Sequence, residues 1–292
     1  MESTIDNGEQ EPLPARLPKG FVIGGCVVDG WLRDGGMAAI YRGRRTLDDR
    51  RVAIKLQLPS SAGDPEMCAR FDREAEVMAR ANGSPHVVEL YDAGRLADGR
   101  RYFALEWVEG ENLEELLDYL RNQDQRLSIV RACRIGRDVA QGLAELHEHG
   151  VLHLDLKPAN VMVVARADGG DDVKLVDFGI AADLHESGAG MDVSPDEAVM
   201  GTWGYMAPEQ VQGKAANASF DVYALGVLLF EAITGSAVPP HGWTVETLPR
   251  METLRRGVPR GLAELVRGCM EFEPVRRPGG VAGVGAELGR IV

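Results

Sequence analysis

At Gly110 the hydrophobic pattern changes period, and this change limits what the chain can fold into. Before it, short runs of β-branched and aromatic residues alternate with turn residues. CVVDGWL and AAIYRG flank a glycine turn, RVAIKLQL follows the charged TLDDR turn, and VVELYDAG is joined to RYFALEWVE by LADGR. Runs bounded in this way read as strands. A single helix interrupts them, with Asp64 as N-cap and Pro65 at its first position. Met67, Phe71, Glu74 and Met78 continue it at helical spacing to about Ala81, where Gly83 and Pro85 stop it. After Gly110 helices dominate. Asn112 caps a run through Leu113, Leu116, Leu117 and Leu120, with Glu114 and Glu115 favourably placed in its first turn. Ile135, Val139, Leu143 and Leu146 form a stripe that His149-Gly150 ends. VMVV and VKLVD are short strands around ARADGGD, and further helices are expected over 221–233 and about 262–270. The pattern implies an α+β chain of two lobes, β-rich over 20–108 and mainly helical over 109–292, with a ligand expected in the cleft between them. Residues 1–19, rich in Glu, Pro and polar side chains, read as a mobile leader.

Composition narrows the partners. A net charge of −13 argues against nucleic acid or an anionic membrane, because phosphate backbones attract basic faces. The longest apolar stretch, 222–233, is broken by Gly226 and Glu231 and is too short to span a bilayer, and the polar N-terminus has no signal-peptide core. Cys26, Cys68, Cys133 and Cys269 are far apart and form no CxxC pair, so they read as reduced core thiols of a soluble, cytoplasmic protein. No zinc-ligand spacing occurs. Nothing in the sequence fixes an oligomeric state.

Chemistry enters with three strings in a fixed order: HLDLKPAN at 153–160, DFG at 177–179 and APE at 207–209. Each alone is weak. Together, behind a glycine turn and the VAIK run at 52–55, they resemble the protein-kinase signature set. Over about residues 20–280 the chain resembles the Hanks-type, eukaryotic-like Ser/Thr protein kinases, and the GGM turn and GTWGYMAPEQ are most similar to the bacterial branch. The resemblance implies the bilobal protein-kinase fold and transfer of the γ-phosphate of ATP to Ser/Thr hydroxyls of a protein substrate.

Phosphoryl transfer passes through a loose transition state, so the protein mainly positions groups and neutralises charge. The resemblance gives Lys55 the α- and β-phosphates, with Glu74 of FDREA as its partner. It makes Asp155 the base toward the incoming hydroxyl and Lys157 the cation at the γ-phosphate. Asn160 and Asp177 become oxygen ligands of Mg²⁺, with Mn²⁺ as the alternative ion. Lys157 and Thr202 are similar to Ser/Thr rather than tyrosine kinases. Gly35 and Gly36 let the backbone approach the phosphates. Ile40 and Ala53 cover the adenine from above and Met162 from below. Leu105 guards the back of the pocket, and the backbone of Glu106 and Val108 reads the ring edge. The resemblance also has Asp221 brace the catalytic loop, Glu209 pair with Arg277, and His153 order the loops. His147 and His149 read as helix-end residues rather than metal ligands.

Two positions depart from the family pattern. Arg33 stands at the start of the glycine turn, where it either weakens nucleotide binding or points to solvent. Leu154 replaces the arginine that in many members receives an activation-loop phosphate. The segment 175–213 contains no Lys or Arg and carries Asp183, Glu186, Asp192, Asp196 and Glu197. A non-RD kinase that does not depend on activation-loop phosphorylation is therefore expected, with a basic or neutral docking region on its substrate. Two rivals are a pseudokinase scaffold acting through protein contacts and a small-molecule phosphotransferase. Against the first stand six filled charged or polar positions; against the second stand APE, DVYALG and Arg277.

Overall fold

A computed structural model describes residues 13–177, 182–183, 203–243 and 247–291. Two compact units emerge, one from the chain up to Ala75 together with Leu90–Trp107, the other from Glu76–Glu89 and from Val108 onward.

The first unit is built on a six-stranded antiparallel sheet. Its strands are β1 (Val22–Ile23), β2 (Cys26–Asp34), β3 (Ala38–Arg45), β4 (Arg51–Gln57), β5 (Leu90–Arg95) and β6 (Arg101–Glu106), in the spatial order β1-β2-β3-β4-β6-β5. Alternation along β4 decides its faces. Val52, Ile54 and Leu56 are buried with Val28, Ala39, Tyr41 and Ala104 in one apolar cluster. Ala53 and Lys55 face the other way, opposite Leu105 and Phe103 on β6, and Ile40 of β3 lies opposite Lys55. Gly43 has to be glycine, because a Cβ there would stand 2.7 Å from both the Ile54 side chain and the Val27 carbonyl. A short α1 (Pro59–Ala62) and the longer α2 (Pro65–Arg80) follow β4.

The leader expected over 1–19 is in part structured. Leu17 is buried in the same apolar cluster, and its N–H donates to the Tyr41 hydroxyl at 3.2 Å. Arg100, itself buried, donates to the carbonyls of Ala15 and Pro14, each at 3.0 Å. One apolar side chain and one buried guanidinium hold these residues, and local composition reports neither.

The second unit contains β7 (Glu111–Asn112), α3 (Leu113–Asn122), α4 (Ile129–Glu148), β8 (Val151–Leu152), β9 (Val161–Ala165), β10 (Asp171–Leu175) and β11 (Ala182–Asp183). It continues through α5 (Pro208–Val211), α6 (Ser219–Thr234), α7 (Met251–Leu254), α8 (Arg260–Cys269) and α9 (Val281–Ile291). Asn112 caps α3 with a full capping box to Glu115, as its position before the leucine run suggests. Apart from its first residue α6 is buried throughout, as its predominantly apolar sequence requires, and it packs on α4 and α8. β10, β9 and β7 form a small antiparallel sheet, and β8 pairs with β11. Residues 76–89, read from sequence as part of the β-rich lobe, belong to this unit. The Val88 N–H donates to the Leu175 carbonyl at 3.0 Å and the Leu175 N–H to the His86 carbonyl at 2.8 Å, so this stretch pairs in parallel with the end of β10. Among the described residues, no helix is long and apolar enough to cross a membrane.

Candidate active site

In the first unit the candidate groups gather on the sheet face away from the apolar cluster. Lys55 Nζ lies 2.6 Å from Glu74 Oε1 on α2, and the two side chains are 11% and 3% exposed. At that burial each charge needs the other, since desolvation of either alone costs several kcal/mol. Three contacts set the position of α2. Asp64 Oδ1 accepts the N–H groups of Glu66 at 2.8 Å and Met67 at 3.3 Å, capping its start. The rings of Phe71 and Phe103 meet at 4.6 Å. Asp72 accepts from Arg101 Nε at 2.6 Å and from Arg95 at 3.0 Å. Ile40, Ala53 and Leu105 are half-buried on the same face as Lys55, and Glu106 ends β6 opposite Val52. The glycine turn between β2 and β3 is closed by the Gly35 N–H to the Ala38 carbonyl at 2.7 Å. Gly35, Gly36 and Arg33 are exposed; for Arg33, exposure favours the solvent-facing alternative.

In the second unit the loop between β8 and β9 carries the polar cluster. Lys157 Nζ donates to Asp155 Oδ2 at 2.8 Å, and Asn160 Nδ2 donates to the same oxygen at 3.1 Å and to the Asp155 carbonyl at 2.9 Å. Asp155 Oδ1 is buried and has no hydrogen-bond partner among the described residues. A single 3₁₀ turn at Pro158–Asn160 presents Asn160, whose carbonyl accepts the Val176 N–H at 3.0 Å and so brings the 176–177 backbone alongside. Met162 on β9 and Val108 are half-buried.

Leu154 and Asp177 both have left-handed backbones, with φ of 62° and 61°. That region is uncommon for residues other than glycine and persists where surrounding contacts over-determine it. At Leu154 those contacts are visible. Its N–H donates to Asp221 Oδ1 at 2.9 Å, and its carbonyl accepts from Gln210 Nε2 at 2.9 Å. Asp221, fully buried at the start of α6, also accepts the His153 N–H at 3.0 Å and bonds His147 Nε2 at 2.7 Å. Burial pushes the Asp221 carboxyl up, yet the His147 hydrogen bond and the nearby imidazoles and N–H groups outweigh it, holding it below the usual carboxylate range. Burial also lowers the His153 imidazole below the ordinary histidine value. His147 lies in the last turn of α4, the helix-end position expected from sequence, and its bond to Asp221 ties that helix to the start of α6.

Farther along, Arg277 grips Glu209 through two bonds of 2.6 and 2.7 Å, the pair expected from sequence. Gln210, next to it, was not picked out from sequence; its only signal is its place directly after APE, since its partner Leu154 is 56 residues away. Thr202 and the activation-loop hydroxyls Ser187 and Ser194, the positions at which loop phosphorylation is tested, lie outside the described residues, as does most of the acidic run. No cluster of three or more His, Cys, Asp or Glu suited to a metal occurs among the described residues.

Comparison with known proteins agrees with this geometry. The model of the protein kinase domain matches residues 28–283. The chain is 33% identical to a serine/threonine-protein kinase, pkn3, of Myxococcus xanthus, over 89% of this chain and 49% of that protein. It is 33% identical to the serine/threonine-protein kinase PknL of Mycobacterium tuberculosis, over 98% of this chain and 69% of the other. The chain thus spans about half the length of the Myxococcus relative. The crystal structure of the Mycobacterium tuberculosis PknI kinase domain is similar with a TM-score of 0.74 at 25% identity, covering 95% of this chain and all of the other. A β-sheet unit carrying a Lys–Glu pair, a helical unit carrying the Asp155 loop, and these likenesses lead to one assignment: the chain belongs to the protein kinase family, as a Hanks-type Ser/Thr protein kinase domain of the bacterial branch.

Proposed function

We propose that this domain transfers the γ-phosphate of ATP, with Mg²⁺, to a Ser or Thr hydroxyl of a protein substrate, without needing a phosphate on its activation segment. The observation that carries the reading is Asp155. One carboxylate oxygen is held by Lys157 and Asn160, while the other is buried and has no partner among the described residues. A carboxylate held at one oxygen leaves the second oriented to accept a proton. In this reading Oδ1 takes the proton of the substrate hydroxyl as the hydroxyl oxygen bonds to the γ-phosphorus. The bond from the γ-phosphorus to the β–γ bridging oxygen breaks, and ADP departs. Lys157 serves the transferring group, and Lys55, held by Glu74, serves the α- and β-phosphates.

The donor set fits a hard divalent cation. Asn160 directs its amide N–H groups at Asp155, which leaves its amide oxygen for another partner, and Asp177 adds a carboxylate. Mg²⁺ takes few protein ligands beside waters and substrate phosphates, so a larger carboxylate cluster is not required. When bound, it neutralises charge on the phosphate oxygens. Ile40, Ala53, Leu105, the backbone of Glu106 and Val108, and Met162 are the proposed adenine contacts, with Gly35 and Gly36 at the phosphates and Thr202 in substrate positioning. Independence from loop phosphorylation is supported by Leu154: its side chain is 4% exposed in the core, and its backbone is already held by Asp221 and Gln210. The acidic run in 183–197 favours a basic or neutral substrate region.

The test is transfer from radiolabelled ATP to a generic basic protein, wild type against Asp155→Asn. Loss of a general base costs on the order of 10²–10⁴ in rate. Equal activity of the two proteins would sink this reading, and ATP binding without transfer by the wild type would favour the scaffold.

A further inference from the structure

Asp34 is an awkward neighbour for a phosphate-binding turn. It directly precedes Gly35, and a carboxylate there repels a polyphosphate within the range of screened charges, about 8 Å at physiological salt. The structure shows what occupies that carboxylate. Arg16 Nη2 donates to Asp34 Oδ2 at 2.7 Å, and Trp31 Nε1 donates to Asp34 Oδ1 at 2.8 Å. The Arg16 guanidinium lies over the Trp31 ring, 4.2 Å from its centroid. Both Asp34 oxygens are therefore engaged, one by a cation.

Arg16 is not a stray surface residue. On one side of it Leu17 is buried in the core of the sheet; on the other the carbonyls of Ala15 and Pro14 receive the buried Arg100 guanidinium. Arg100 is fixed in turn by Asp98 at 2.7 Å. The backbone of Arg16 is thus anchored at both neighbours while its head group stays exposed beside Asp34. An ordinary surface ion pair gives up side-chain entropy to form; here the backbone on both sides is already ordered, and the Trp31 ring gives the guanidinium a second contact.

We propose that residues 14–17 form a strap whose Arg16 neutralises Asp34 and keeps it from opposing the nucleotide phosphates. Arg16 is then a positioning residue for phosphate binding, acting through Asp34. The proposal rests on the reading of 33–38 as the phosphate turn.

The experiment measures equilibrium binding of ATP and of adenosine to the wild type, Arg16→Ala, Arg16→Lys, Asp34→Asn and the Arg16→Ala/Asp34→Asn double variant. Arg16 is 60% exposed on its side chain, so its removal leaves the core intact. ATP affinity should fall about three- to fivefold in Arg16→Ala, the upper part of the range for exposed pairs. Adenosine affinity should not change, since adenosine carries no phosphate. Arg16→Lys should retain most of the ATP affinity, and adding Asp34→Asn to Arg16→Ala should restore it. Unchanged ATP binding in Arg16→Ala, equal losses for ATP and adenosine, or no recovery in the double variant would each overturn the strap. Failure of the wild type to bind ATP would overturn the nucleotide reading itself, and the strap with it.

Discussion

Replacing Arg277 by methionine should destabilise the helical unit strongly, and the structure sets the scale. The Arg277 and Glu209 side chains are 0% and 4% exposed, so neither charge has water as a substitute partner. Arg277 makes two bonds to Glu209, others to the carbonyls of Glu271 at 2.8 Å, Ser219 at 2.9 Å and Phe272 at 3.3 Å, and lies 5.0 Å from the Tyr223 ring centroid. Removing it strands a buried carboxylate with, among the described residues, only the Ser219 hydroxyl, at 3.3 Å, as a side-chain partner. Breaking a buried ion pair from one side costs about 3–5 kcal/mol. At roughly 2 °C per kcal/mol for a chain of this size, the melting temperature should fall by about 6–10 °C. Adding Glu209→Gln removes the orphaned charge and should recover a good part of that loss. Thermal unfolding of the wild type, Arg277→Met, Glu209→Gln and the double variant forms a complete cycle. A single-variant loss below about 1 kcal/mol, or a double variant as unstable as the two singles added together, would refute the assignment of a desolvated, coupled pair.

Two further outcomes follow from other contacts. Ser187→Ala and Ser194→Ala should each retain phosphotransfer activity, measured on the generic substrate; complete loss in either, with rescue by a phosphomimetic, would reject independence from loop phosphorylation. Asp72→Arg should lower kcat about three- to fivefold through release of α2 and its Glu74, near the upper end for a partly exposed pair. Combining it with Arg101→Asp should restore part of the rate, and a charge swap without any recovery would remove Asp72 as a positioning residue.

Most of the regular structure was legible because its signals are local. Strand alternation in β4 and the stripe of Ile135, Val139, Leu143 and Leu146 in α4 each lie within one window of sequence. The helix α9 was not legible, because Gly283, Gly285 and Gly289 lower its helical propensity. Its formation depends on packing against α4, where a Cβ at Gly285 would come within 3.2 Å of the Ala140 Cβ. The same distinction holds at the site. Lys55, Glu74, Asp155 and Asn160 stand in recognisable strings. The roles of His147 and Gln210 depend on partners 74 and 56 residues away, and no short string reports them.

These long-range contacts also give physical sense to the leucine at 154. A residue with φ of 62° is held there by its surroundings. Here the restraints are permanent groups. Asp221 fixes the Leu154 N–H, and Gln210 fixes its carbonyl. Gln210 follows Glu209, which Arg277 pins in the core. The backbone one residue before Asp155 is thus connected, contact by contact, to the buried Arg277–Glu209 ion pair. The leucine completes this arrangement by burying its side chain.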